Sequence, residues 1–498
     1  MSEPVSQTLV LAVDAGTTNT KALLVQPVSG AVVATSSRPV GITFPAPGRA
    51  EQDAEQLWQA TATAMADCLE RAPREAVVIG VALANQRESV VAWSRRTGAP
   101  LGPVLGWQDV RTTDACAALS ARDGAATMVR ERTGLSLDPM FSAPKLRWLW
   151  DDAMEHGADP DDIALGTVDA WLVHRLTGEH LIEAGNASRT LLLGLRELDW
   201  DDDLLDLFGL SRDALPQVRD SDGGFGRTLA GLPGIPAGLP VLAVLADSHA
   251  ALYHHGCGAP GTGKATYGTG SSVMTPCLGP EPAPLGIATT LAWRAGHRPI
   301  FAREGNIMAS GSALDWMART LGAPAGRAGG EFLSDLARTV PDSGGATLVP
   351  AFSGLGAPYL DRRATGLLTG VTAGTGPAHL ARAALEAVAH QVVDVVEAVE
   401  ADGGARIAVL HADGGATASG LLMQLQADLL GRPVHVAATP EASALGVAAL
   451  AARAVGLPVA PSPPSAAVEP AGADRSTRRA TWARAVARAR WSPDDTAG

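Results

Sequence analysis

Lysine is nearly absent from this 498-residue chain: it occurs only at positions 21, 145 and 264, and arginine supplies every other basic side chain. Aromatic residues make up 4% of the sequence and cysteines number 4. The cysteines, at 68, 116, 257 and 277, show neither CxxC spacing nor grouping with histidine, which argues against a zinc site or a disulfide framework. No apolar run approaches the ~20 residues of a membrane span, and the start, MSEPVSQT, lacks the basic-then-apolar pattern of a secretory signal. The expected location is the cytoplasm. Acidic side chains outnumber basic ones, 52 to 39, for a net charge of −13. A nucleic-acid groove or an anionic membrane surface is therefore not expected as a partner. What is present is 46% hydrophobic residues with 55 glycines and 34 prolines, ample for globular cores built from Ala, Val and Leu. The length predicts more than one domain.

Residues 8–16, TLVLAVDAG, form an apolar run ending in Asp and Gly, a predicted strand that meets a tight turn. KALLVQPVSGAVVATSSRPV adds two strand-like runs joined at a Ser-Gly turn, so the chain starts with a meander around DAGTTNTK. The spacing of Leu57, Met65, Cys68 and Leu69 predicts a helix over 54–71, and VVIGVALAN (77–85) reads as a buried strand ending in the polar cluster NQRES. Residues 256–270, GCGAPGTGKATYGTG, imitate a phosphate-binding P-loop as far as Lys264. Ala265 then stands where the motif needs a magnesium-binding hydroxyl, and the following residues read as a hairpin rather than a helix. The second half repeats the logic of the first: a hairpin with a glycine turn, helices over 312–321 and 377–401, and a strand, IAVLHADGG (407–415), ending in Asp-Gly-Gly. The expectation is an α/β fold of two similar halves with a cleft between them. PVAPSPPSAAVEP (458–470) reads as a linker or surface crossing, and ATWARAVARARW (480–491) as a basic amphipathic helix that packs its Trp and Val on the body.

The ordered set DAGTTNTK, ANQRES, GWQDVRT, MFSAPKLRWL, GTVDAWLVHRLTG, NASRT, YGTGSS, PAFSGLGAPYLD and HADGGATASGLLMQLQADLLG resembles the FGGY family of carbohydrate kinases, in its glycerol-kinase branch, over roughly residues 8–457. The resemblance implies two ribonuclease-H-like domains of the actin/Hsp70 type, residues 1–252 and 253–457, with ATP and Mg²⁺ in the cleft between them and residues 458–498 beyond. It implies that Thr17, Thr18, Asn19 and Lys21 of the first turn, and Thr269 and Gly270 of the second, lie near the phosphates. Asp14 would sit near magnesium, and Gly311, Asp315, Gly415, Ala416 and Ser419 against the nucleotide. Asp247, which follows an apolar strand and opens a helix, matches the catalytic aspartate. Arg87, Glu88 and Trp107 match the residues that hold a small polyol.

The same resemblance marks departures. Met140, Ser248 and Ser272 stand where that branch usually has tyrosine, glutamine and phenylalanine, and the smaller Ser248 and Ser272 imply an acceptor pocket that is wider and more polar at one end. Ser419 and Asp315 replace an asparagine and a glutamine near the adenine. The loop LAGLPGIPAGLP (229–240) has no Arg, Lys or His for a regulatory sugar phosphate. Glycerol, phosphorylated to glycerol 3-phosphate, is the leading acceptor, and a tetritol, pentitol or ketopentose such as xylulose the alternative. A non-catalytic actin-like ATP-binding protein is the alternative of another class. A homodimer or homotetramer is left open.

Overall fold

The structure, a computed structural model, describes residues 8–284, 286–401, 404–459, 463–472 and 474–490. Part of the expected Pro-rich crossing (460–462) and Trp491 lie outside the described residues. Strand β1 (Thr8–Ala15) pairs antiparallel with β2 (Asn19–Gln26), and β2 with β3 (Ala31–Pro39). Helix α1 (Ala54–Glu70) follows, capped by the Asp53 carboxylate, which accepts from the Gln56 N–H. Strands β4 (Val77–Asn85) and β5 (Val241–Ala246) then add in parallel beside β1, giving the order β5–β4–β1–β2–β3. A smaller four-stranded sheet (Glu51–Gln52, Val104–Leu105, Val90–Ser94 and Ile163–Thr167) belongs to the same half.

After α2 (Asp247–His254) the pattern recurs. Strands β6 (Thr262–Tyr267) and β7 (Ser271–Cys277) form the hairpin expected in place of a P-loop, and β8 (Ala288–Ala295) and β9 (Arg298–Ile307) continue the antiparallel part. Three helices follow: α3 (Gly311–Thr320), α4 (Gly329–Ala337) and α5 (Pro377–Ala401). Strand β10 (Val409–Asp413) pairs in parallel with β6. Helix α6 (Gly420–Leu430), strand β11 (Val434–Val436), helix α7 (Ala442–Ala454), strand β12 (Ala466–Val468) and helix α8 (Arg475–Arg490) complete the chain, and the sheet order is β8–β9–β7–β6–β10–β11–β12. No helix among the described residues is long and apolar enough to cross a membrane.

Strands β1 and β4 are continuously apolar because both faces of their sheet are covered. Leu9, Leu11 and Val13 enter the first-half core, whereas Val10 and Ala12 join a separate cluster with Ala250 and Leu252 of α2, Ala444, Val447 and Ala448 of α7, and Met274 and Ala302 of the second sheet. This third core glues the halves through two helices rich in small side chains. Alanine and glycine let them approach: a Cβ on Gly446 of α7 would lie 1.9 Å from the Ala250 carbonyl of α2. Helix α8 packs on the body, as expected for its Trp and Val. Trp482, Ala485, Val486 and Ala489 are buried, the Trp482 indole N–H donates to Asp394 of α5 (2.7 Å), and Arg479 pairs with Asp394 and Glu397.

Two predictions follow from the seam. Gly446→Ala should lower stability by about 1–3 kcal/mol, the usual cost of forcing a methyl into a packed interface, read as a lower thermal midpoint. The second concerns a row of imidazoles, His254 and His255 at the end of α2, His411 on β10 and His435 on β11, with neighbouring ring centroids 5.1–5.5 Å apart. Burial, and then the neighbouring imidazoles, push His254 and His411 from 6.5 down to about 4. The folded state thus binds fewer protons than the unfolded chain between these values. Stability should be full above pH 6.5 and fall as pH drops from 6.5 towards about 4, visible in thermal midpoints measured across that range.

Candidate active site

Pairing of Ala15 with Thr20 leaves Gly16–Asn19 as the turn between β1 and β2, closed by the Gly16 N–H to the Asn19 carbonyl (3.0 Å). A ring of hydrogen bonds fixes this turn to two loops. Gln52 Nε2 donates to the Thr17 carbonyl (2.6 Å), Gln86 Nε2 to Gln52 Oε1 (2.8 Å) and the Ser89 hydroxyl to Gln86 Oε1 (3.0 Å). The Trp107 backbone N–H donates to Ser89 Oγ (3.1 Å), and its indole N–H returns to the Thr17 hydroxyl (3.2 Å). Trp107 is 37% exposed, so the face it does not use for this ring stays open to the cleft. Beneath it, buried Lys145 donates to the Gly106 carbonyl (3.1 Å) and the Met140 carbonyl (2.7 Å), and burial lowers its ammonium to about 8. Met140 is half-buried against the first core.

Arg87 and Glu88 leave β4 at the mouth of the cleft, and they are not a surface pair. Glu88 is buried with φ at 61°, a left-handed conformation that costs a non-glycine residue about 1–3 kcal/mol and must be held by its surroundings. Arg189, itself buried, supplies the hold through Nε to Glu88 Oε1 (2.6 Å). Arg87 Nη1 lies 2.7 Å from Glu304 Oε1, and Arg189 Nη1 lies 2.9 Å from Glu304 Oε2, close contacts aligned as ion pairs rather than as hydrogen bonds. Arg87 Nε lies 3.5 Å from Asp247 Oδ1.

Asp247 is the first residue of α2, with Ala246 in the N-cap position. Its carboxylate accepts from the Ser248 N–H (2.6 Å) and keeps 38% of its side chain exposed to the cleft. Burial of its surroundings raises its carboxyl, and Arg87 pulls in the opposite direction. Asp14, at the end of β1, is raised to about 7 by burial and then by Asp247 and Glu441, with Lys21 opposing. Three acids from β1, α2 and the start of α7 therefore share one field at the bottom of the cleft. Lys21 Nζ reaches Glu441 of the second half at 2.8 Å. Thr18 is exposed, and the Asn19 amide turns aside to Ser37 (2.6 Å), so its side chain faces the neighbouring strand.

The second turn, Gly268–Thr269–Gly270, packs against the start of α3: the Gly311 N–H donates to the Gly268 carbonyl, and those of Ser310 and Ser312 to the Thr269 carbonyl, each at 3.0 Å. A Cβ on Gly311 would lie 2.5 Å from the Gly268 carbonyl oxygen. Gly311 is thus required by backbone meeting backbone, before any ligand is considered. Thr269, Gly311, Asp315, Gly415, Ala416 and Ser419 line one cavity of about 690 Å³. Gly270 lies outside that lining and is pressed against Ile307 instead. The Ser419 hydroxyl caps α6 by accepting from the Leu422 N–H (3.1 Å) and bonds Ser334 (2.6 Å). Lys264, the P-loop mimic, is fully buried and donates to the Thr266 hydroxyl (2.6 Å) and Ser248 Oγ (3.3 Å).

Residue-by-residue reading passed over Gln52, Arg189, Glu304, Glu441 and His249. Arg189 sits inside NASRT, and Glu304 interrupts an otherwise apolar strand as REGN, a signal that could have been taken up; Gln52 and Glu441 carry none.

The chain matches the FGGY family of carbohydrate kinases, N-terminal domain, over residues 9–253, and the C-terminal domain of the same family over residues 263–455. It is 45% identical to a glycerol kinase of Alkalilimnicola ehrlichii, covering 98% of this chain and 99% of that protein. It is 41% identical to an apulose kinase of Pectobacterium atrosepticum, again over 98% and 99%. Among solved structures, Plasmodium falciparum glycerol kinase with ADP superposes with a TM-score of 0.91 at 26% identity, covering 99% of this chain and 100% of that one. Xylulose kinase from Rhodospirillum rubrum superposes at 0.86 with 28% identity, over 96% and 98%.

Proposed function

Since the chain belongs to the FGGY family of carbohydrate kinases, and is a phosphotransferase acting on a sugar or polyol, we propose that it moves the γ-phosphoryl group of ATP to a terminal hydroxyl, with glycerol the leading acceptor. The observation that carries this reading is the position of Asp247, part-exposed, 3.5 Å from Arg87 Nε and electrostatically coupled to Asp14. Phosphoryl transfer needs a carboxylate to orient the attacking hydroxyl and take its proton, and cations for the charge on the phosphate. Asp247 takes the first role. Arg87 and Glu88 hold neighbouring hydroxyls, and Trp107 covers the carbon side. Thr17, Thr18, Lys21 and Thr269 meet the phosphates from the two turns, while the cavity of about 690 Å³ takes the nucleoside. For Lys21 this requires exchanging Glu441 for phosphate oxygens. The non-catalytic alternative gives way to the kinase reading, because a scaffold has no use for the acceptor-side carboxylate.

Among the described residues no group of three or more His, Cys, Asp or Glu is placed to hold a metal ion by itself. Magnesium in kinases needs only one or two carboxylates, the rest of its shell being water and phosphate oxygens. Asp14 fits that demand as a carboxylate at the end of β1 with the acids Asp247 and Glu441 near it: burial first, and then those two acids, raise its carboxyl, and Lys21 opposes them. Magnesium bound there would supply charge neutralisation on the phosphates.

A four- or five-carbon acceptor is the second reading, supported by the small side chains of Ser248 and Ser272 and by the likeness to apulose and xylulose kinases. Both hydroxyls already have protein partners, Ser248 with Lys264 and Ser272 with Glu304, at 3.3 and 3.1 Å. Each keeps hydrogen-bonding capacity, since Ser248 accepts in its contact and Ser272 donates in its own, so the Ser248 O–H and the Ser272 lone pairs are left to meet an added hydroxyl in the room these small side chains make.

Asp247→Asn should keep nucleotide binding and lose ~10²–10⁴-fold in turnover, the usual range for a positioned acid–base group; a loss under about tenfold removes Asp247 from the role. Asp14→Asn should raise the magnesium concentration needed for half-maximal rate, and an unchanged requirement counts against Asp14. A coupled ADP-release screen over glycerol, dihydroxyacetone, erythritol, xylitol, xylulose and ribulose assigns the acceptor. If a longer acceptor matches glycerol, Ser248→Gln with Ser272→Phe should move preference back to glycerol.

A further inference from the structure

Glu304 lies on β9, in the second half of the chain, yet its carboxylate reaches across the seam into the first half. Its side chain has no exposure, and neither, beyond 1%, does that of Arg189. The two carboxylates and two guanidiniums of Glu304, Glu88, Arg189 and Arg87 sum to zero charge, which is what makes so dense a buried group tolerable: each ion stripped of water costs several kcal/mol unless it is paired. The pairing runs in a line. Glu304 Oε1 meets Arg87 at 2.7 Å, Glu304 Oε2 meets Arg189 at 2.9 Å, and Arg189 Nε meets Glu88 Oε1 at 2.6 Å. Glu304 is thus the middle of a bridge whose ends are the two residues at the acceptor side of the cleft.

Two further groups face this bridge. The Ser272 hydroxyl donates to Glu304 Oε1 (3.1 Å), fixing the carboxylate from its own sheet. His249, buried on α2, has no hydrogen-bond partner on either ring nitrogen, and burial and then Arg87 keep its imidazole neutral. Burial alone would raise the Glu304 carboxyl, but Arg189 and Arg87 outweigh it and hold the group well below the usual carboxylate range. Glu304 is therefore an anion fixed between two guanidiniums. Without it, Arg87 has one remaining carboxylate within ion-pair reach, Asp247 at 3.5 Å, and would be drawn onto the group that must receive the acceptor's proton.

We propose that Glu304 is a positioning residue for the acceptor: it holds Arg87 directly and Glu88 through Arg189, so that the acceptor subsite is complete only while the two domains are in contact. Glu304 touches no acceptor itself, because its side chain is wholly enclosed. The inference rests on the kinase reading, and the experiment separates the two. Wild-type enzyme is first assayed on the polyol and ketose panel. No turnover with any acceptor sinks the kinase reading; turnover with at least one lets the inference be tested on that acceptor. Glu304→Gln should then raise the acceptor KM about thirtyfold or more, the scale on which losing one partner of a buried charge pair acts in a binding site, with the ATP KM within about twofold of wild type. Glu304→Asp, which keeps the charge on a shorter arm, should recover part of the loss. Arg189→Lys acts from the other domain: it keeps the charge but cannot engage two carboxylates as a guanidinium does, and should give the same split between the two KM values. Acceptor and ATP KM rising together, or an unchanged acceptor KM in folded protein, overturns the proposal. If Glu304→Gln does not fold, Arg189→Lys decides it by the same criterion.

Discussion

Everything at the acceptor side depends on one buried carboxylate crossing from one domain to the other. Glu304 has its backbone in the second sheet and its charge between two guanidiniums of the first half, 2.7 and 2.9 Å away. An ion pair of this kind adds little net stability, because desolvation consumes most of the attraction. What it supplies is definition. Four charged side chains that must satisfy one another have few alternative arrangements, and Glu88 could not otherwise be kept in its left-handed backbone conformation. The site is thus pre-organised at the seam.

The seam itself is apolar and close-packed, and the charges sit at its edge. Helix α2 carries Asp247 at its first residue and His254 and His255 at its end, while α7 presses Gly446 against it. The Ser443 hydroxyl of α7 also donates to the Asp247 carbonyl (3.0 Å). The catalytic candidate is therefore held by the same small-residue contact that joins the halves. The proposed nucleotide side follows a different principle: there the second hairpin turn, the start of α3 and the Asp-Gly-Gly turn bring backbone against backbone. Gly414, at φ 93°, would place a Cβ 2.5 Å from the Tyr267 carbonyl.

Much of this could be read from the chain itself. Strand β4 begins and ends at the residues that the apolar run VVIGVALAN marked, and α5 spans the predicted 377–401. Both are long, uniform segments whose pattern has one interpretation. The P-loop mimic fails on a missing hydroxyl and on the hairpin pattern that follows it, and Lys264 is indeed enclosed in a hairpin strand with no exposure. The glycines of YGTG were legible as a turn, but the reason for Gly270 was not, since a Cβ there would lie 2.4 Å from the carbonyl of Ile307, a residue far along the chain whose approach has no local trace. Ser272 is a similar case. It read as a smaller side chain at the pocket, and that its hydroxyl also serves Glu304 had no local trace.

What the sequence determined by itself is the list of chemically able groups and the local element that carries each. Apolar run length and periodicity, turn residues and the position of a carboxylate at a strand end are all local, and local energetics decide them. What only the tertiary structure decided is which of those groups face one another. Lys21 meets Glu441 across 420 positions of sequence, and Arg87 meets Glu304 although nothing near either residue announces the other. Charge partners are chosen by the closing of the two sheets around α2 and α7. Coulomb attraction depends on distance in space, and a linear sequence does not contain that distance.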